Sequence, residues 1–299
     1  MTRSVRHEDV MAADGTRLAL YRVGDPEGPP VVLMPGTFSN HTFWLGTRGH
    51  GMAWALARAG YEAIVLDPRG HGGSERHDGR GWTFEDWGRL DVPAAVEAAT
   101  RDSEKALLIG HSAGGAALLI ALAGEPELRD RVAALVALAT PVPWLQRWRK
   151  LGAWLIRAVS RVLGRFPARL LGLGPEDELP GVMAQWMTWN LRGEWIGDDA
   201  TDYVRALGEV RVPILAVSGA GDTTFAPPDA CRGLMEMVGT DDATYVLAGR
   251  ETGFSEDFTH PGIVVSKPAH DEVWPLVIDW LDAHASGPSR AVEGDLHPQ

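Results

Sequence analysis

Short apolar runs alternate along the chain with longer stretches whose apolar positions recur every three or four residues. The run RLALYRVG (17–24) alternates and predicts an edge hairpin with the segment before it. PVVLMPG (30–36) is a continuous apolar run closed by Pro-Gly, the pattern of a strand buried on both faces. EAIVLDPRG (62–70), KALLIGHS (105–112), VPILAVSGAGD (212–222) and ATYVLAG (243–249) repeat it. Between them, helical spacing covers 51–59, 87–99, 114–123, 228–238 and 271–283. VAALVALATP (132–141) suits a further strand, although periodicity alone also allows a helix there. Strands separated by helices in this way predict an α/β chain with a mostly parallel central sheet and flanking helices.

The rhythm stops between Pro141 and Val210, where the sequence reads as helices with no convincing strand. Of the twelve tryptophans, Trp144, Trp148, Trp154, Trp186, Trp189 and Trp195 fall in this stretch. The expected organisation is therefore a core in two parts, 1–141 and 211–284, interrupted by a helical insertion over 142–210 placed like a lid. The last segment, 285–299 (ASGPSRAVEGDLHPQ), has few apolar residues and reads as a disordered tail.

Composition narrows the function classes. The 299 residues carry 28 basic and 40 acidic side chains, a formal charge of −12, which argues against nucleic acid as a partner. Cys231 is the single cysteine, so no intrachain disulfide can form. No apolar stretch reaches the roughly 18 residues of a membrane span, and the first residues lack the apolar run of a signal peptide. These features lead to the expectation of a cytoplasmic protein that is not integral to a membrane. His7, His41, His50, His77, His111, His284 and His297 show no metal-ligand spacing, and no G-x-G-x-x-G follows the first strand. Neither a metal nor a dinucleotide cofactor is expected.

The chemistry concentrates at Gly110-His111-Ser112-Ala113-Gly114, directly after the apolar run ALLI and before a helix. A G-x-S-x-G pentapeptide alone is common. Between strand and helix it forces the serine into a strained turn, with its oxygen standing clear at a helix N-terminus. In this context the chain resembles the α/β-hydrolase superfamily, in its serine-nucleophile, esterase- and lipase-like branch. The resemblance covers about residues 10–284 and implies the α/β-hydrolase fold, with Ser112 as nucleophile.

It also implies an oxyanion hole, one of whose donors is the N–H of Ala113. The second comes from the loop Met34-Pro35-Gly36-Thr37-Phe38-Ser39, where Pro35 replaces the usual histidine. The residue after the glycine normally donates, which selects Thr37, with Phe38 as runner-up. Asp67-Pro68-Arg69-Gly70-His71-Gly72-Gly73-Ser74 resembles the family's D-x-R-G-x-G-x-S turn, in which Arg69 and Asp67 tie loops together and His71 is structural.

A serine hydroxyl needs a neutral imidazole to take its proton and a carboxylate to fix that imidazole's tautomer. The family's order is serine, acid, histidine. Asp222 follows the late strand ILAVSG and fits the acid. His260 and His270 compete for the base. In the family the histidine opens a loop some ten residues before a helix of the form V-x-P-x-x-x-x-W-L, which Val273, Pro275, Trp280 and Leu281 supply here. That selects His260 and leaves His270 at a helix start.

The resemblance thus implies a carboxylic-ester hydrolase acting on a small-molecule ester without a cofactor. The tryptophan-rich insertion suggests a hydrophobic pocket formed by Phe38, Trp144, Trp186 and Trp189. An acyltransferase or thioesterase on the same triad, or a non-hydrolytic protein using the lidded pocket as a mould, remains open. Within the insertion, Leu151, Trp154, Leu155, Val159, Val162, Leu163 and Phe166 share one helical face, and Arg157, Arg161 and Arg165 form a stripe on another. The stripe reads either as a solvated basic face or as a weak contact with an anionic surface.

Overall fold

Eight strands form one sheet in the computed structural model, which describes residues 4–76, 81–100, 105–143 and 150–285. The strands are β1 (Arg6–Met11), β2 (Arg17–Gly24), β3 (Pro30–Met34), β4 (Glu62–Asp67), β5 (Ala106–His111), β6 (Val132–Leu138), β7 (Ile214–Gly219) and β8 (Ala243–Ala248). They lie in the order β1-β2-β4-β3-β5-β6-β7-β8. β1 and β2 form an antiparallel hairpin whose second strand runs antiparallel to β4, and every later pairing is parallel. The run 132–141, ambiguous by periodicity, contributes β6, paired between β5 and β7.

The helices are α1 (Thr42–Leu45), α2 (Met52–Arg58), α3 (Phe84–Asp86), α4 (Val92–Ala99), α5 (Ala113–Gly124), α6 (Lys150–Leu163), α7 (Pro180–Arg192), α8 (Tyr203–Leu207), α9 (Pro228–Arg232), α10 (Gly262–Val265) and α11 (Lys267–His284). Two boundaries differ from the sequence reading for local reasons. A capping box between Thr83 and Asp86 starts the second helical stretch at Phe84, and a π-turn at 87–91 joins it to α4. The closing helix starts at Lys267, because the Ser266 hydroxyl accepts the Ala269 N–H at 3.2 Å and caps it. The expected tail beyond residue 285 lies outside the described residues, as do Trp144 and Trp148.

The alternation within each strand divides the core in two. Val32, Met34, Leu108, Leu135 and Ile214 face one layer, while Val31, Leu33, Leu107, Val136 and Leu215 face the other. α5 lies in the first layer and has no polar side chain; its residues from Ala113 to Ala123 are all buried. An apolar helix is stable in water only when enclosed on all sides. The consequence is positional: the start of α5 is fixed by the core, and so is the residue before it. Between β6 and β7, α6 and α7 stand beside the C-terminal ends of the parallel strands, where open α/β sheets bind ligands.

Among the described residues, no helix is long and apolar enough to cross a membrane.

Candidate active site

Ser112 is the single residue between the end of β5 and the start of α5, where it stands at the N-cap of the helix. Its N–H donates to Leu138 O at 2.9 Å, alongside β6, and its carbonyl accepts the Ala116 N–H at 3.2 Å. Making both bonds across one residue requires φ 54° and ψ −124°, which a residue with a Cβ adopts at a cost of roughly 1–3 kcal/mol. The neighbouring glycines allow the turn. A Cβ at Gly110 would collide with the backbone of Gly114 and Gly115, and one at Gly114 with the carbonyl oxygens of Met34 and Pro35. The strand, the helix and the 34–38 loop therefore converge at backbone distance around the serine.

Asp222 sits three residues beyond β7 and is buried. Its carboxylate receives four donors. Oδ1 accepts the N–H groups of Thr224 (3.2 Å) and Phe225 (3.0 Å), and Oδ2 accepts the Ala226 N–H (3.0 Å) and His260 Nδ1 (2.5 Å). Burial pushes the pKa of Asp222 up, but His260 and the backbone donors outweigh it and hold the carboxyl below its ordinary range. A carboxylate only accepts, so Nδ1 of His260 carries a proton, and in the neutral imidazole the lone pair is then at Nε2.

His111, between Gly110 and Ser112, supports this histidine from below. Its Nε2 donates to the His260 carbonyl at 2.9 Å, and the two rings lie 4.7 Å apart. Burial, with repulsion from His260, lowers the His111 pKa to about 3, so it is neutral in the folded protein. The competitor His270 is elsewhere, stacked on Trp274 at 3.7 Å between ring centres. The structure thus brings Asp222 together with His260 and leaves His270 out.

The loop after β3 distinguishes the two candidate donors. The N–H of Phe38 donates to Glu178 Oε2 at 3.2 Å and is already used. The N–H of Thr37 has no partner among the described residues, and neither does that of Ala113 at the start of α5. The turn after β4 is structural. Arg69 is fully buried, with Nε on Asp91 at 2.8 Å and Nη1 on Asp14 at 2.8 Å. Asp67 accepts from the backbone of His41 (2.5 Å) and from Gly73 (2.8 Å).

A cavity of about 550 Å³ opens at Ser112, Ala113, Thr37 and Phe38. Its walls are mostly apolar, with Ile156, Phe166, Leu173, Met183, Trp186, Met187 and Phe225, and Asn190 and Thr224 add polar groups. Phe38 and Trp186 line it as expected, whereas Trp144 lies outside the described residues. Trp189 does not line it. Its indole N–H donates to the Ile196 carbonyl at 2.6 Å, and its ring packs edge-on against Phe84, Trp195 and Tyr203. The cavity face of α7 is Met183, Trp186, Met187 and Asn190, spaced i, i+3, i+4, i+7, and Trp189 points away from it. That spacing is legible in the sequence, whereas the bulk of Trp189 says nothing of which side of the helix it occupies.

Residues 29–182 match the family model for the alpha/beta hydrolase fold. The chain belongs to the α/β-hydrolase family. Among relatives of this α/β hydrolase, the epoxide hydrolase A of Mycobacterium tuberculosis is 33% identical over 141 residues, covering 45% of this chain and 38% of that protein. The gastric triacylglycerol lipase of Bos taurus is 26% identical over 151 residues, covering 44% of this chain and 38% of the lipase. The chain spans about two fifths of the length of these curated relatives. A thermophilic esterase from Thermogutta terrifontis superposes with a TM-score of 0.66 at 18% identity, covering 94% of this chain and 100% of that one. The structure of DcsB in complex with its substrate analogue gives 0.69 at 18% identity, covering 95% and 100%. At that identity both establish a shared fold.

Proposed function

We propose that this α/β hydrolase cleaves carboxylic esters with a hydrophobic acyl or alcohol part. The observation that carries the reading is Ser112, held on a strained strand-to-helix turn that lines a largely apolar cavity, together with the Asp222–His260 pair, whose histidine carbonyl bonds the His111 ring next to that serine in sequence. The Ser112 hydroxyl attacks the ester carbonyl while His260 Nε2 takes its proton. The N–H groups of Thr37 and Ala113 receive the oxyanion. As the tetrahedral intermediate collapses, His260 returns the proton to the departing alcohol and an acyl-enzyme remains. Water, deprotonated by His260, then attacks the acyl carbon, and the carboxylic acid leaves as Ser112 recovers its proton. A serine at the elbow favours ester chemistry over the epoxide substrate in one relative's name, since the resemblance assigns epoxide hydrolases an aspartate there.

We read 142–210 as a cap that roofs the cavity, inserted between core segments 1–141 and 211–284. Its helix α6 buries Ala153 and Ser160, while Leu151, Trp154, Leu155, Val159, Val162 and Leu163 are exposed on the opposite side. The apolar stripe thus faces away from the body of the protein, beside Arg157 and Arg161; the expected third member, Arg165, lies past the end of α6, where Gly164 turns the chain at φ 67°, and pairs with Asp177 at 3.5 Å. Although the net charge of −12 opposes it, the local combination of exposed apolar side chains with Arg157 and Arg161 favours an anionic lipid surface as the partner of that face. Binding to phosphatidylglycerol vesicles, absent on phosphatidylcholine and lost in high salt, supports this. A dimer in solution that V162D disperses would instead make a second copy the partner and overturn it.

Turnover of nitrophenyl esters of increasing acyl length, compared between wild type and Ser112→Ala, tests the catalytic reading. Serine-dependent turnover that rises with chain length supports it. Short-chain preference removes the lipophilic substrate, and no turnover by a folded protein removes the hydrolase.

A further inference from the structure

Phe38, next to the proposed oxyanion donor Thr37, has φ 66°, a left-handed conformation disfavoured for a residue with a bulky side chain. Such strain persists only where the surroundings over-determine it. Here the surroundings are one short stretch from the segment between β6 and β7. The Glu178 carboxylate accepts the Phe38 N–H at 3.2 Å, and the Glu176 N–H donates to the Phe38 carbonyl at 3.0 Å. The backbone of Phe38 approaches Gly174 so closely that no Cβ fits there, and its ring packs on Phe166 at 5.5 Å. Both polar groups of this strained residue are therefore held by chain about 140 residues away in sequence.

Glu178 itself is almost fully buried at 1% exposure. A buried carboxylate needs donors and a counter-charge. Its Oε1 accepts the Leu179 N–H at 2.9 Å, and the imidazole Nε2 of fully buried His71 lies 3.4 Å from Oε2. Burial disfavours a charged His71, but Glu178, Glu176 and Asp67 outweigh it and raise its pKa, which suits a cation beside Glu178. Backbone pairing of Glu178 with Phe166, at 2.8 and 3.0 Å, fixes where the carboxylate stands.

We propose that Glu178 is a positioning residue for the oxyanion loop: by accepting the Phe38 N–H, it locks Phe38 in its strained conformation and aims the Thr37 N–H at the Ser112 site. The carboxylate touches no reacting atom and acts through the backbone of Phe38. The catalytic part of this inference rests on the ester-hydrolase reading, whereas the conformational part stands without it.

The test compares wild type with Glu178→Ala, Glu178→Gln and Glu178→Asp. In Glu178→Ala, kcat for the best nitrophenyl ester falls about 10- to 100-fold, below the roughly 100- to 1000-fold expected for outright loss of a donor. KM changes little. The Ki of an alkyl trifluoromethyl ketone, whose adduct presents an oxyanion, rises by the same factor as kcat falls. Glu178→Gln, which still offers an oxygen to Phe38, recovers most of the activity. Hydrogen exchange of the peptide spanning residues 37–40 accelerates in Glu178→Ala, while that of α5 is unchanged. Should the alanine variant fail to fold, Glu178→Asp keeps the charge near His71, withdraws the acceptor from Phe38, and accelerates the same exchange. Unchanged exchange at 37–40 in folded Glu178→Ala or Glu178→Asp overturns the proposal. So does a glutamine variant no better than alanine. If the wild type turns over no ester, the functional reading fails and the exchange result still decides this one.

Discussion

Replacing Asp222 with asparagine changes one atom type at the most heavily bonded side chain of the site. The carboxylate accepts four donors, two on each oxygen. Asparagine offers one accepting oxygen and an amide that donates. With that oxygen facing the Thr224 and Phe225 N–H groups, the amide meets the Ala226 N–H and His260 Nδ1. The Ala226 N–H cannot adjust, and leaving it buried without a partner costs about 1–3 kcal/mol. His260 can adjust, by moving its proton to Nε2 and accepting at Nδ1. That rescue removes the lone pair needed to receive the Ser112 proton. Changing the acid of such a triad to its amide lowers kcat by roughly 10⁴-fold through this wrong tautomer, equivalent to about 5 kcal/mol in the barrier. Asp222→Asn should therefore fold with a lowered thermal midpoint and show nitrophenyl-ester kcat down about 10⁴-fold, with KM nearly unchanged. A variant that keeps kcat within tenfold of wild type would refute both the tautomer argument and the role of Asp222.

His260→Ala should abolish ester turnover, whereas His270→Ala should stay within about threefold of wild type, since His270 only stacks on Trp274; steady-state kinetics on the two variants distinguishes them. Stability should also respond to acid through His111. Its native pKa is lowered to about 3. The unfolded chain therefore binds a proton that the folded one refuses below about pH 6.5. The stabilisation is complete above that pH and declines as pH falls towards 3, with Asp222, also depressed, adding to the loss at the acid end. Urea midpoints between pH 7 and 4 should fall for the wild type and fall less for His111→Gln.

What the sequence disclosed and what it hid divide along a physical line. Strands buried on both faces are runs such as VVLM and AIVL, and the serine turn is set by glycines within two residues of Ser112; both are local patterns. The pairing of Asp222 with His260 was implied by the family resemblance, through its order of serine, acid and histidine, and the structure brings the two together at 2.5 Å. The clamp on Phe38 was not legible. It joins residues 38 and 178 through a single carboxylate, and no local pattern marks an acceptor for a distant backbone N–H. The apolar stripe of α6 is legible from Leu151 to Leu163, but neither its direction nor the departure of Phe166, which lies past the helix end and lines the cavity, is. Small Ala153 and Ser160 let the opposite side of the helix lie against the protein, so bulk ended outside.

The stitch between 174–178 and the loop after β3 bears on how such proteins diversify. If roofing segments were interchangeable parts, a chimera carrying a relative's segment between β6 and β7 would gain that relative's selectivity and keep its catalytic rate. Here the exchanged segment also carries the acceptor that restrains Phe38. A graft lacking a carboxylate or amide oxygen at the place of Glu178 would inherit new walls and a loosened loop together. Selectivity and rate would then change as one, and recovering speed would require a second change far from the graft in sequence, such as glycine at position 38 to relieve the strain that the clamp now sustains.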